Sequence, residues 1–368
     1  MKTRTNFKKQ LTALFLVCIT AGLLVSVWSC SSKKVEMTVE RAYALRLDGN
    51  ADSALVILEQ ILATDSTNAV AWYELARTKH HIGLGNPRLL ISHLPDLEHS
   101  IEKAVEYDPD NVIYAYYQGY IRFFKSYAAI MMGQPGALED IKETIATYES
   151  VLDLKPDYLE AMLFLVEALS IPGEMGGDST RGEIMADKLE EMDAVKGAKA
   201  KELFLAEDVD RIEYWQKVLE ENQDNAEVLE QLGKANLYQD QVDAGTEYLE
   251  TALRLDSERQ VLLLDLARYH IMTGMQDSTK RETAIPLADK YIVRYLATDP
   301  MPPLKAYTLE LQAKLKSGSG DEEAAAQLRE EALTTDPNYS KAFGVPPALL
   351  FTELDEISRY HSYFFRPL

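Results

Sequence analysis

The stretch Asn225–Glu258, NAEVLEQLGKANLYQDQVDAGTEYLETALRLDSE, decides the fold. Val228, Leu229, Leu232, Ala235 and Leu237 recur at helical spacing, and Gln239–Asp240 make a polar break. A second helical run then carries Ala244, Tyr248, Leu249, Ala252, Leu253 and Leu255. Two amphipathic helices joined by a short turn cannot bury their own apolar face, so they need neighbours of the same kind.

The same phase recurs on both sides. A first copy spans about Val35–Asn68, with Gly49 at its turn and Ala54 and Leu58 opening its second helix. A second starts near Ala69 and reads Trp72-x2-Leu75-Ala76, with Gly83 at the turn; about nine extra residues around Leu84–Pro95 predict a lengthened loop. A third opens near Val112, has Gly119 at the small position and an expanded turn at Gly133–Gly136, and closes at Pro156. A fourth opens near Leu159 and carries the loop Pro172–Asp178, after which Thr180 and Glu183 read as a capping box. The fifth, about Met192–Asn225, is the least regular; the quoted stretch is the sixth. The seventh has Leu266–Ala267, Gly274 and Asp299–Pro300, and the eighth Leu309, the Gly318–Gly320 turn, Ala325, Ala332 and Asp336–Pro337. The closers DSTN, DPDN, KPDY, QDN, DSER, DPMP and DPNY punctuate the chain. Proline stops a helix by lacking an N–H, and Asp or Asn caps the next one.

This pattern resembles the tetratricopeptide repeat family, a helix–turn–helix unit with Leu-Gly in its first helix and Ala and Pro in its second. The resemblance covers residues 35–339. It implies an all-α solenoid of about eight helix pairs whose concave groove is lined by positions 2, 5, 9 and 12 of each first helix. Counted from Val112, those positions are Ile113, Tyr116, Tyr120 and Phe123, with Tyr127 one turn further on; in the second copy they include Tyr73 and Arg77. Tyr and Arg are residue types that anchor interfaces. A second stripe on the same helix, Tyr114, Tyr117, Ile121 and Phe124, serves the core. A helix apolar on two faces either lines a site or is buried all round, here by the expanded loops 84–95 and 131–140 folding over it. Both readings stand at this point. The tail 340–368 breaks the pattern at Pro346–Pro347 and ends in an amphipathic run, expected to cap the last repeat or to dock on a partner.

The N-terminus is an address. Lys2, Arg4, Lys8 and Lys9 precede the apolar run Leu11–Trp28, then Ser29–Cys30. Residues 1–29 resemble a bacterial lipoprotein signal, which implies acylation at Cys30, a polar tether over 30–34 and a periplasm-facing body. Ser31 resembles signals that release the protein to the outer membrane. The alternative is an uncleaved anchor, because the run nearly spans a bilayer.

The chain has 368 residues and a formal net charge of −21, with its acids spread over helix faces. That balance argues against nucleic acid as a partner. Cys18 and Cys30 alone build no disulfide framework. No HExxH, GxSxG or GxxxxGK[ST] occurs. His80, His81, His93 and His99 offer no metal-ligand spacing, and Glu190–Glu191 and Glu220–Glu221 sit on charged faces. No enzyme activity, metal or cofactor is expected. The sequence points to a scaffold for a peptide or protein. The alternative is a transport accessory that takes a small apolar ligand, since lipoproteins of this repeat type resemble a component of tripartite periplasmic transporters.

Overall fold

Asparagines at the repeat joints start three of the helices. The Asn68 side chain accepts a hydrogen bond from the Ala71 N–H at 3.0 Å, Asn111 from Ile113 at 3.2 Å, and Asn225 from Glu227 at 2.9 Å. Each satisfies an N–H that the first helical turn leaves open. The computed structural model describes residues 37–84, 87–338 and 340. The chain divides into a unit Met1–Met37 and a unit Thr38–Leu368. The signal segment, Cys30 and the tether lie outside the described residues, as does the tail from 341 onward.

The described residues hold sixteen α-helices: α1 Val39–Leu47, α2 Ala51–Thr64, α3 Ala69–Leu84, α4 Pro87–Tyr107, α5 Val112–Met131, α6 Ala137–Leu154, α7 Leu159–Ser170, α8 Ser179–Met192, α9 Ala194–Glu202, α10 Arg211–Glu221, α11 Ala226–Tyr238, α12 Val242–Leu255, α13 Leu262–Gln276, α14 Arg281–Leu296, α15 Pro302–Gly318 and α16 Glu322–Thr335. A short 3₁₀ turn at Gly173–Met175 lies between α7 and α8. No strand occurs among the described residues. The helices pack as antiparallel neighbours, in seven of the eight pairs expected, and the fold is an all-α solenoid. The fifth copy is irregular: α9 packs chiefly against α8 and only lightly against α10. Small residues set the spacing within pairs. A Cβ on Gly233 would lie 2.7 Å from Leu249, and one on Gly119 2.8 Å from the Tyr148 ring.

Two expectations are corrected. The insertion at Leu84–Pro95 is not a long loop; from Pro87 it extends α4, which runs through Pro95. Leu90, Leu94, Leu97 and Ile101 fall on one face and are all buried, so burial outweighs the hydrogen bond that Pro95 forfeits. The cap of α8 is Asp178, which accepts from the Arg181 N–H at 3.1 Å, and not a Thr180–Glu183 box.

The solenoid closes on itself. His81 Nε2 at the end of α3 lies 2.7 Å from Asp336 Oδ2 just after α16, and both side chains are fully buried. The Asn338 amide donates to the Asp52 carboxylate at 3.1 Å. Tyr307 of α15 belongs to the same apolar cluster as Tyr73, Tyr116 and Tyr120. The eighth pair therefore meets the first two, and the concave face becomes the inside of a ring.

Candidate functional site: the inner face of the ring

The inner face has two arcs of different chemistry. The first is aromatic. Its helices α3, α5 and α7 contribute Tyr73 and His80, then Tyr116, Tyr117, Tyr120 and Phe123, then Phe164; Tyr148 of α6 and Tyr158 before α7 complete it. The rings form one continuous array. Tyr73 stacks on Tyr114 at 4.8 Å, Tyr117 on Tyr120 at 5.8 Å, and Tyr148 on Phe164 at 5.4 Å with the planes 7° apart. Tyr120 meets Phe164 edge-on at 6.0 Å and so joins the α3 side to the α7 side. Such pairs add to the burial of apolar area.

Polar groups thread this arc. Arg46 of α1 binds the Glu74 carboxylate with two hydrogen bonds, of 2.5 and 3.2 Å, wholly inside the protein. The Arg77 guanidinium lies 5.9 Å from the Tyr43 ring centre and 5.5 Å from that of Tyr73. Cations over aromatic faces are attracted by the ring quadrupole. His80 Nδ1 lies 3.1 Å from the Tyr117 hydroxyl. Burial, helped by the His81 and Arg46 charges, pushes the His80 pKa down to about 3, so its ring is neutral at physiological pH. The hydroxyls of Tyr73, Tyr116 and Tyr148 are buried with no hydrogen-bond partner, and burial holds all three phenols well above their usual pKa.

The second arc is charged. The count that lands on Tyr116 and Tyr120 in the third copy lands, in the sixth, on Glu227, Glu230 and Lys234. Lys199 of α9 pairs with Glu227 at 2.7 Å. Glu230 takes Lys234 at 2.7 Å and also Arg259. Lys234 reaches toward Asp265 of α13 at 3.8 Å. Glu230 is 1% exposed and Asp265 2%. Burial alone would raise both carboxyls, yet they part. Two close cations bring Glu230 down to about 2, whereas desolvation wins at Asp265 and lifts it to about 6. Lys234 is committed to Glu230, and Asp265 Oδ2 keeps no hydrogen-bond partner.

Tyr307 joins the arcs. Its ring packs into the aromatic cluster while its hydroxyl lies within the electrostatic reach of Arg268 on the charged side.

Of the residues expected to line a groove, Tyr73, Arg77, Tyr116, Tyr120 and Phe123 are brought together but buried. Ile113 is half-buried, and Tyr127 is 38% exposed at the far end of α5. The burial comes from α3, α4, α6 and α7 alongside and α15 from across the ring; the 84–95 insertion takes part through Leu84 and Leu94, not as a loop but as helix. The charged arc is hard to see in the sequence because its carboxylates resemble the solvated ones elsewhere; the groove count applied to the sixth copy finds them. Among the described residues no group of three or more His, Cys, Asp or Glu is placed to hold a metal, and no helix is long and apolar enough to cross a membrane.

No family model matches the chain, and no curated protein does. Solved structures similar to it include YrrB, a tetratricopeptide protein with an unusual peptide-binding site, at 13% identity and a TM-score of 0.33 over 66% of this chain and 96% of that one. TTC0263, a thermophilic tetratricopeptide protein of Thermus thermophilus, gives 15% and 0.37 over 63% and 97%. MamA gives 18% and 0.28 over 59% and 95%. Likeness at this level carries no argument about what this chain binds.

Proposed function

We propose that this chain is a non-enzymatic interaction scaffold of the bacterial cell envelope, held at a membrane, the outer one, through acylated Cys30. Its inner aromatic arc receives a peptide or protein. One observation carries the reading: the partnerless hydroxyls of Tyr73, Tyr116 and Tyr148. A buried hydroxyl without a partner costs about 1–3 kcal/mol, and phenylalanine would fill the same volume without that cost. Three such hydroxyls on one arc make sense when they meet polar groups of a partner in another state of the protein. The test is a pull-down from detergent-solubilised native membranes, comparing wild type with Tyr73→Phe/Tyr116→Phe/Tyr148→Phe. A partner held by the wild type and lost by an equally folded triple variant supports the reading. Identical partner sets for the two proteins rule out the hydroxyls as the recognition element.

The closure of the ring favours a second reading, in which the arc encloses a small apolar ligand for a transport system. Native mass spectrometry of protein purified from cells tests it. A small molecule released on denaturation supports this reading, and its absence removes it.

A further inference from the structure

A repeat array normally touches only its immediate neighbours along the chain. Here the last pair crosses to the first two, and the two sides of that seam differ in kind. On the C-terminal side, α15 is tied back to its own neighbours. Gln312 and Lys316 both reach Asp289 of α14, at 2.9 and 2.8 Å. Leu304 and Leu311 also pack into the apolar cluster of α11–α14. Across the seam, Leu304, Tyr307 and Leu311 of α15 pack against the aromatic cluster. Beside that apolar contact, the seam is spanned by the His81–Asp336 pair, the Asn338–Asp52 hydrogen bond and the approach of Thr335 to Gly49. Gly49 sits at φ +79°, and a Cβ there would stand 2.2 Å from the Thr335 carbonyl oxygen. Parting an apolar joint exposes hydrocarbon to water. Parting the His81–Asp336 hydrogen bond returns both groups to water, which replaces the partner that each loses. The seam therefore joins one apolar helix face to a small set of polar contacts, between parts of the chain that are far apart in sequence.

What closure covers is the aromatic arc, and what covers it is one helix face. Leu304, Tyr307 and Leu311 stand at i, i+3 and i+7 of α15, and all three pack against the arc. We infer that α15 occupies the inner face as a built-in competitor, with His81–Asp336 as the latch. The partner that displaces it is an amphipathic helix presenting a tyrosine between two leucines in that register. The inference rests on the scaffold reading above and names its ligand class. Recognition would follow the helix-in-groove mode.

The test uses the full chain and two probes. The first is a fluorescein-labelled peptide with the sequence of residues 302–318, PPLKAYTLELQAKLKSG. The second is hydroxyl-radical footprinting of Tyr307, with buried Trp215, far from the seam, as internal control. His81→Ala unlatches the seam, and Gly49→Ala forces it apart without disturbing a buried charge; circular dichroism checks that each stays folded. In either variant the oxidation of Tyr307 rises while that of Trp215 does not, and the peptide binds about tenfold more tightly than to wild type, by population shift. A peptide carrying Tyr307→Ala loses that gain. Unchanged Tyr307 oxidation in both folded variants overturns the latch. Raised oxidation without tighter peptide binding overturns the competitor role of α15. Neither result touches the scaffold reading, which fails instead if the pull-down above finds no partner that depends on the tyrosine hydroxyls.

Discussion

The two arcs of the inner face solve one problem differently. Both are buried, and both are built mainly on the first helices of successive pairs, with Tyr148 of α6 and Tyr158 before α7 added to the aromatic one. Between α3 and α7 the positions hold aromatic rings, which pack with one another and leave hydroxyls over. Between α9 and α13 they hold alternating charges, which neutralise one another from repeat to repeat and leave one carboxylate, Asp265, poorly served. The aromatic arc is held by contact area. The charged arc is held by partner matching, where losing one member strands another. The backbone repeat does not dictate the chemistry of its inner face; it only decides which positions meet.

The largest effect separating the arcs is expected at Phe164, which touches Tyr116, Tyr120, Phe123 and Tyr148. Phe164→Ala removes the hub of the array and costs about 3–5 kcal/mol in urea unfolding. The loss should be nearly flat with pH, because no charge is involved.

Glu230→Gln should cost nearly as much at neutral pH, about 3 kcal/mol, but with a pH signature. The folded pKa of Glu230, about 2, lies below its unfolded value near 4.5. Its stabilisation is therefore complete above about 4.5 and is lost as pH falls toward 2. Unfolding curves of wild type and variant should converge over that window. If they stay parallel, the charged arc is held by packing like its counterpart.

Asp265 has the opposite sign. Its folded pKa of about 6 stands above its unfolded value near 3.8, so the ionised group opposes folding at neutral pH. Asp265→Asn should stabilise the protein by ~1–3 kcal/mol at pH 8, and the gain should shrink as pH falls from 6 toward 4. Differential scanning fluorimetry at several pH values reads it. A loss of stability at pH 8 would mean that Lys234 serves this carboxylate as well as it serves Glu230.

The smallest effect is expected at the hydroxyls. Tyr148→Phe or Tyr73→Phe should raise stability by up to about 1 kcal/mol each, since each removes an unpaired buried O–H. Destabilisation would reveal a structural partner for that hydroxyl and weaken the argument from the aromatic arc.

Much of this fold is legible in the sequence. Leu232–Gly233 and the closers mark the pairs, because helical periodicity and helix stops are local. Counting along the repeat finds Tyr116, Tyr120 and Tyr73 as inner-face residues. Two features are not legible. Pro95 reads as a breaker by local propensity, while the stripe Leu90–Leu94–Leu97–Ile101 that overrides it gains its energy from distant partners. Closure is hidden for a deeper reason. Each joint adds a small rotation, and only the sum over all the pairs brings Asp336 to His81, 255 residues away.

That sum has a consequence for how the chain changes over time. Linear arrays gain and lose units freely, since an added unit merely lengthens them. In this molecule an added pair would collide with Gly49, and a missing one would leave Asp336 and His81 facing a gap. Duplication or deletion of a pair would break the His81–Asp336 closure. The copy number is set by geometry in the way the number of staves is set in a barrel, and variation is confined to the helix ends, the turns and the chemistry of the inner face.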